Sequence, residues 1–439
     1  MPPTTAPAVV SPVSRVRGRV RVPGDKSISH RYAMLAAIAD GTSRLDGYAP
    51  GADCAATLAC LEAFGVPVSR ESGANGLTIR IRGRGLRGLE QPRGPIDAAN
   101  SGTSMRLLAG LAASHPFRTV IGGDESLSRR PMKRVIEPLT KMGASIESLD
   151  GRPPLTIDGA DLRAISHRPE VPSAQIKSAV LLAGLHARGR TEVHEPAATR
   201  DHTERALEAF GVDVHRDGLS VSIEGGQRLQ AVELAIPGDV SSAVFWLVLA
   251  AGRPGSTIEI EGVGLNPSRT AVLDVLRSAG AVVEIRLDAQ AAGEPVGTIR
   301  LTHGTPRPFE ISPETVPGVI DEIPALAALA AMSANGRMTV RGARELRVKE
   351  SDRIAMLARG FRNLGVAVTE YEDGFTIFGG PPSGGAADAV GDHRLAMAFA
   401  IAGTAAAAPV AIRGADAVAV SYPGFFSELR HLCESGGDR

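Results

Sequence analysis

A repeated helix-to-strand junction governs what this chain can fold into. A helix-like segment that ends in glycine and runs into a β-rich stretch occurs five times: LEAFGVPV (61–68), LTKMGASI (139–146), LEAFGVDV (207–214), LRSAGAVV (276–283) and FRNLGVAV (361–368). The junction glycines, Gly65, Gly143, Gly211, Gly280 and Gly365, lie 68 to 85 residues apart, so 439 residues hold six such units. Self-similarity at a fixed period marks a fold built by stacking one supersecondary unit.

The rest of the unit repeats too. A second strand follows each glycine: LTIRIRG (77–83), LTIDG (155–159), LSVSIEG (219–225), GTIRLTHG (297–304) and FTIFGG (375–380). Six Ala/Leu-rich segments then read as helices: SHRYAMLAAIADG (29–41), SGTSMRLLAGLAA (101–113), SAQIKSAVLLAGLHA (173–187), SSAVFWLVLAAG (241–252), EIPALAALAAMSA (322–334) and HRLAMAFAIAG (393–403). A helix apolar all round must be buried. The stretch 395–412 approaches the length of a membrane span, but Gly403, Thr404 and Pro409 interrupt it, so a buried helix followed by a strand is expected there. The sixth unit stops at LRHLCESGG without closing strands, and RVRGRVRVPG (15–24) is expected to close it from the N-terminus.

VPGDKSISH (22–30) returns as IPGDVSSAV (236–244), which groups the six units two by three. The expected fold class is therefore α/β: two domains, 24–237 and 1–23 plus 238–439, each of three βαβαββ-like units. Apolar helices would lie inside a shell of sheets, with a hinge where the chain crosses.

Charge and cysteine usage narrow the function. Lys plus Arg equals Asp plus Glu at 48 each, and aromatic residues are 4%, so neither a basic surface nor stacking rings favour nucleic acid. Three cysteines, Cys54, Cys60 and Cys433, form no disulfide framework and no zinc motif, which points to a reducing cytoplasm and no metal. The leader MPPTTAPAVVSPVS lacks the apolar stretch of a signal peptide and is expected to be a flexible tail. GRGLRG (83–88) matches a dinucleotide fingerprint, but Pro92, Gly94 and Pro95 forbid the helix it needs, so it is expected to be a loop.

If the buried helices run parallel, their N-termini converge, and each offers free N–H groups and partial positive charge to an anion. The residues at those starts are Asp25-Lys26-Ser27 with Arg31, Asn100-Ser101-Gly102-Thr103, Ser173-Ala174-Gln175 with Lys177, Asp239 with Ser241-Ser242, Asp321-Glu322, and Asp392-His393-Arg394. The turns before the amphipathic helices add Arg129, Arg130, Arg200, His202, Lys349, Glu350 and Arg353. Ser, Asn, Asp and Thr are ordinary N-caps. Capping does not explain Lys26, Arg31, Lys177 and Arg394 beside apolar cores, where an unpaired cation is costly. Both halves contribute such cations, so one cleft site between domains is expected. Among these cations stand two carboxylates, Asp321 and Glu350, suited to act as an acid and a base.

In order along the chain, PGDKSISHR, NSGTSMR, SLSRRPM, SAQIKSA, TRDHTE, DEIP, RVKESDR, GDHRLAMA and SYPGF resemble the motifs of the EPSP synthase family, the 3-phosphoshikimate 1-carboxyvinyltransferases, from about Val22 to Phe426. The resemblance implies a two-domain inside-out α/β barrel that moves the enolpyruvyl group of phosphoenolpyruvate to the 5-hydroxyl of shikimate 3-phosphate and releases phosphate. It implies Asp321, Glu350 and Lys26 as catalytic groups. It places Lys26, Ser27, Arg31, Ser173, Ala174, Gln175, Arg200, Asp321 and Lys349 on shikimate 3-phosphate. It places Lys26, Asn100, Gly102, Arg130, Gln175, Arg353 and Arg394 on phosphoenolpyruvate, with His393 a supporting neighbour. No cofactor or metal, no nucleic acid or membrane partner, a monomer and a cytoplasmic location are also implied.

Several positions depart from the family pattern. Val420 or Ser421 stands where many members carry a lysine, Glu345 where many carry Asn, and Ser173-Ala174 where some carry two serines. Gly102 is present where glyphosate-tolerant members carry Ala, and Leu107 where sensitive ones often carry Pro. Two alternatives share the architecture. A UDP-N-acetylglucosamine enolpyruvyl transferase commonly needs a cysteine near GGDESLSRRPM, where none lies, and a non-catalytic phosphometabolite binder would be expected to lose Asp321 or Glu350.

Overall fold

Each of the five junction glycines adopts a positive φ: 81° at Gly65, 120° at Gly143, 84° at Gly211, 100° at Gly280 and 84° at Gly365. Left-handed backbone at a helix end satisfies the last carbonyls and turns the chain away, and glycine reaches it without a Cβ clash. The amphipathic helices Ala52–Ala63, Lys133–Met142, His202–Ala209, Ala271–Ser278 and Arg353–Asn363 stop within two residues of these glycines. The computed structural model that shows this describes residues 6–73 and 76–435.

The six Ala/Leu-rich segments are helices: Lys26–Ile38, Gly102–Ala113, Ala174–Gly184, Val240–Gly252, Ile323–Ala331 and His393–Gly403. In Val240–Gly252 every residue is buried. His393–Gly403 is followed by a strand at Val410–Arg413, as the breaks in that stretch required. Residues 83–88 carry neither helix nor strand, so the dinucleotide-like motif is a loop.

The chain divides into two units. The first comprises Gly24–Pro237 with Gln290–Glu294, and the second Met1–Pro23, Gly238–Ala289 and Pro295–Arg439. Gln290–Glu294 lies in the span that the sequence assigned to the second domain, yet it groups with the first unit because its side chains and carbonyls are bonded there.

Among the described residues the first unit holds three four-stranded sheets. Their orders are Glu233–Ala235, Thr42–Tyr48, Gly76–Arg82, Val68–Gly73; then Ile96–Asp97, Arg118–Gly122, Arg152–Asp158, Ser145–Leu149; then Ser166–His167, Arg190–His194, Ser220–Glu224, Val214–Asp217. In each, a parallel edge strand is joined to an antiparallel hairpin; Arg190–His194, for example, pairs parallel with Ser166–His167 and antiparallel with Ser220–Glu224. The second unit repeats the plan. Val282–Ala291, Glu294–Thr302, Thr257–Gly264 and Arg17–Val20 form one sheet, and Phe309–Ile311, Arg337–Val340, Gly374–Phe378 and Val368–Tyr371 another. Among the described residues the sixth sheet has three strands, Ala8–Val10, Val410–Arg413 and Gly385–Asp388.

The N-terminus corrects the sequence reading twice. Arg17–Val20 lies parallel to Thr257–Ile260 and so completes the fourth sheet rather than the sixth. The sixth is closed by Ala8–Val10, antiparallel to Val410–Ile412, inside the leader expected to be a flexible tail. Val10 is buried and packs in the second unit's apolar core, which is why so short a strand holds its place. Residues 1–5 of that leader and the closing glycines of the sixth unit fall outside the described residues. Among the described residues no helix is long and apolar enough to cross a membrane.

Candidate functional site

In the first unit three buried helices begin at one place. Asp25 caps Lys26–Ile38 by accepting from the Ile28 N–H at 2.9 Å, and Ser101 and Ser173 cap Gly102–Ala113 and Ala174–Gly184 in the same way. Side chains bridge the three starts. The Gln175 amide accepts from Arg106 Nη1 at 2.7 Å and donates to Thr103 Oγ1 at 2.9 Å. Ser104 Oγ meets Thr57 Oγ1 at 2.6 Å, and Thr57 meets His30 Nδ1 at 2.6 Å. Burial, with Lys26 and Arg31 adding to it, holds the His30 pKa well below 6.5, so its ring is neutral.

The cations here are held by named partners. Lys26 Nζ sits 3.0 Å from Asp53 Oδ2. Arg31 is 3% exposed and donates to Thr203 Oγ1 at 2.7 Å, the Ser27 carbonyl at 2.8 Å and Ser178 Oγ at 2.8 Å. Arg130 donates to Asn100 Oδ1 at 2.6 Å and Ser126 Oγ at 3.2 Å, and Asn100 donates to Asp124 Oδ2 at 2.6 Å. Gly102 lies under the two arginines: a Cβ there would come within 2.8 Å of Arg106 Nη1 and 3.2 Å of Arg130 Nη1. Lys177 corrects an expectation, because its charge does not wait for an outside anion. Its ammonium is buried 2.7 Å from both Glu195 and Glu204, the partners that a cation at that depth requires.

The second unit gathers the carboxylates. The Val240–Gly252, Ile323–Ala331 and His393–Gly403 helices start together: Ser241 Oγ donates to Glu322, and Arg394 Nη1 donates to the Asp321 carbonyl at 2.7 Å. Arg269 donates to Ser241 Oγ at 2.7 Å and lies 3.3 Å from Asp239. Arg353, 1% exposed, is the hub: its Nη2 donates to Glu350 Oε2 at 2.5 Å, its Nε donates to Asp392 Oδ2 at 2.8 Å, and Asp321 Oδ1 lies 3.7 Å from Nη1. Burial opposes its charge, yet Asp392, Glu350 and Asp321 together raise its pKa above the ordinary arginine value. Lys349 Nζ approaches Asp321 Oδ1 at 3.9 Å, and His393 is buried at the helix start beside Arg394.

Within the first unit the structure thus brings together Lys26, Ser27 and Arg31, and likewise Asn100, Gly102, Arg130, Ser173, Ala174 and Gln175. Arg200 immediately precedes Asp201, at the start of the His202–Ala209 helix whose Thr203 holds Arg31. Within the second unit it brings together Asp321, Lys349, Glu350, Arg353 and Arg394. Leu107 is fully buried in the first unit's core. Sequence reasoning missed Arg106 and Asp53, and it placed Asp392 at a helix start without pairing it to Arg353. A signal for Asp392 was present: Gly24-Asp25, Gly238-Asp239 and Gly391-Asp392 are the same pair at three buried helix starts, and each Asp accepts a backbone N–H.

Capped helix N-termini with buried arginines in the first unit, and two carboxylates around a buried arginine in the second, each suit groups of a substrate rich in phosphate and carboxylate. Comparison with known proteins reaches the same place. Residues 10–429 match the family model described as EPSP synthase (3-phosphoshikimate 1-carboxyvinyltransferase). A protein of that name from Alkalilimnicola ehrlichii is 50% identical over 95% of this chain and 93% of its own length, and one from Brevibacillus brevis is 45% identical over 96% and 98%. Among solved structures, an EPSP synthase from Acinetobacter baumannii superposes with a TM-score of 0.85 at 41% identity, covering 99% of this chain and 98% of that one. Fold, site chemistry and near full-length similarity agree, and this chain belongs to the EPSP synthase (3-phosphoshikimate 1-carboxyvinyltransferase) family.

Proposed function

We propose that Asp321 and Glu350 are the base and the acid of the family's reaction in this chain, the transfer of enolpyruvyl from phosphoenolpyruvate to the 5-hydroxyl of shikimate 3-phosphate. The chemistry needs both groups. The methylene carbon of an enol ether must gain a proton before its neighbour becomes electrophilic, and the attacking hydroxyl must lose one as it adds. Asp321 takes the hydroxyl proton. Glu350 protonates the methylene, and after the tetrahedral intermediate forms it takes a proton from the new methyl group as phosphate leaves.

The remaining roles follow charge. Gln290–Glu294 apart, the first unit runs from Gly24 to Pro237. It supplies the shikimate 3-phosphate contacts Lys26, Ser27, Arg31, Ser173, Ala174, Gln175 and Arg200, and Asn100, the Gly102 backbone and Arg130 for phosphoenolpyruvate. The second unit supplies Asp321, Lys349, Glu350, Arg353 and Arg394. Phosphates and carboxylates are matched by arginine forks and by the N–H groups of capped helix starts. Three cysteines with neither a disulfide framework nor a zinc motif in their spacing support a reducing cytoplasm.

The observation that carries the reading is the joint placement of Asp321 and Glu350 around the buried Arg353, at 3.7 and 2.5 Å. Two carboxylates that share a cation, with Arg394 and Lys349 beside them, form an acid–base pair in an anion site rather than two surface ion pairs. The test is phosphate release from shikimate 3-phosphate plus phosphoenolpyruvate. The unmodified protein turns over, while Asp321→Ala and Glu350→Gln fall by about 10² to 10⁴-fold. No release from the unmodified protein refutes the activity, and full activity in either variant refutes that residue's role.

A further inference from the structure

The strands Val282–Ala291 and Glu294–Thr302 are joined by a two-residue turn, Ala292–Gly293. Both turn residues have positive φ, 54° and 66°, the pairing a tight twisted hairpin demands. Asparagine or aspartate usually takes the first of these positions, and an alanine there is strained. The strain is tolerated because the tip is seated. Ala292 is 7% exposed and its carbonyl accepts from the Tyr32 hydroxyl, while the Gly293 carbonyl accepts from Arg205 Nη1 at 2.9 Å.

Glu294 is the anchor. It is fully buried, and its Oε1 lies 2.6 Å from Nδ1 of His202, itself 1% exposed. A carboxylate oxygen accepts, so the contact assigns the His202 proton to Nδ1. The second oxygen is 3.6 Å from Arg205 Nε, which also donates to Asp201 Oδ2 at 2.8 Å. Asp201, His202 and Glu294 could be taken for metal ligands. Arg205 already supplies the positive charge that a metal would bring, so the cluster is an ion-pair network.

Two helices receive this tip. Tyr32 follows Arg31 in the Lys26–Ile38 helix, and His202 opens the helix that Arg200 precedes by two residues. Thr203, next to His202, is the hydroxyl that receives Arg31 Nε. Removing Glu294 would therefore unseat the turn carrying Arg200 and loosen the mount of Arg31, while the phosphoenolpyruvate contacts Asn100, Gly102 and Arg130 keep their own partners.

We propose that Glu294 is a positioning residue for the shikimate 3-phosphate subsite, acting through His202 and Arg205 on Arg200 and Arg31. This rests on the assignment of Arg31 and Arg200 to that substrate. The experiment is steady-state phosphate release, varying each substrate in turn, with Glu294→Ala, Glu294→Gln, Tyr32→Phe and Arg200→Ala. Glu294→Ala raises the KM for shikimate 3-phosphate on the order of tenfold or more, as misplacing a substrate-holding group does. The KM for phosphoenolpyruvate holds within about twofold, because a purely structural loss would move both together. Glu294→Gln keeps an acceptor for His202 Nδ1–H and recovers most of the loss. Tyr32→Phe removes one tip bond and shifts the same constant by a smaller factor.

An unchanged shikimate 3-phosphate KM in folded Glu294→Ala, or equal rises in both constants, overturns the proposal. Should Glu294→Ala fail to fold, Tyr32→Phe decides alone, and no selective shift in it is the overturning result. Arg200→Ala separates the two levels. If it leaves the shikimate 3-phosphate KM unchanged, the subsite assignment fails and this inference with it; if it raises that KM while Glu294→Ala does not, only the role of Glu294 fails.

Discussion

Arg353 and Asp392 form a fully buried ion pair, Nε to Oδ2 at 2.8 Å, between residues 1% and 0% exposed in side chain. Asp392 also caps the His393–Gly403 helix, accepting from the Arg394 N–H at 2.9 Å, and takes a bond from Ser351 Oγ at 3.0 Å. One carboxylate therefore fixes Arg353 and the backbone of Arg394, two of the proposed phosphoenolpyruvate contacts. Breaking a buried pair by removing one partner typically costs about 3 to 5 kcal/mol. Asp392→Ala is expected to lose stability of that order in urea unfolding and to lower kcat/KM for phosphoenolpyruvate at least about 100-fold, whereas Asp392→Asn keeps the cap and loses less stability.

Lys177 tests how far a buried cation can be structural. It is enclosed by Glu195 and Glu204 at 2.7 Å each, and no substrate role is proposed for it. Lys177→Met leaves two buried carboxylates facing each other without a counter-charge. Urea unfolding near pH 7 should show a loss of about 3 to 5 kcal/mol. A change under about 1 kcal/mol would mean that the glutamates find water or another donor.

Gly102 sets the room beside Arg130. An alanine Cβ would press on Arg106 Nη1 at 2.8 Å and Arg130 Nη1 at 3.2 Å, both ends of flexible side chains, so the fold survives and the arginines move. The unmodified protein is expected to be inhibited by glyphosate, and Gly102→Ala to be less inhibited while its KM for phosphoenolpyruvate rises several-fold. Turnover of the unmodified protein that persists in excess glyphosate would contradict this.

His186 gives stability a pH dependence. Burial, helped by the neighbouring His115, lowers its pKa from 6.5 to about 4 against the opposing pull of the Leu182 and Leu86 carbonyls, which lie 3.1 and 2.6 Å from its two ring nitrogens, only one of which carries a proton to donate in the neutral ring. Between these values the unfolded chain binds the proton and the folded chain does not. Stability therefore falls as pH drops from about 6.5 towards 4, by at most about 1.4 kcal/mol per pH unit from this group. His186→Gln should flatten the slope of unfolding free energy against pH in that window. Some slope remains, because burial lowers His115 and His167 as well.

Much of this protein was legible without coordinates. Junction glycines, apolar helices and Gly-Asp caps are local in sequence, and local sterics and backbone hydrogen bonding decide them: a glycine at positive φ or an Asp at an N-cap needs only its near neighbours. Repetition of those local signals then set the number of units and placed Lys26, Gly102, Asp321, Arg353 and Arg394 at helix starts.

Only the tertiary structure decided the partners. Arg31 meets Thr203 across 172 residues, His202 meets Glu294 across 92, and Arg353 meets Asp392 across 39. No periodicity encodes such pairings, because a buried charge takes whichever counter-charge packing delivers within reach. The same reason took Lys177 to two glutamates, while strand pairing between residues far apart in sequence moved Arg17–Val20 to the fourth sheet and gave Ala8–Val10 to the sixth. The sequence determined which groups stand at the helix starts, and packing determined which of them already have partners.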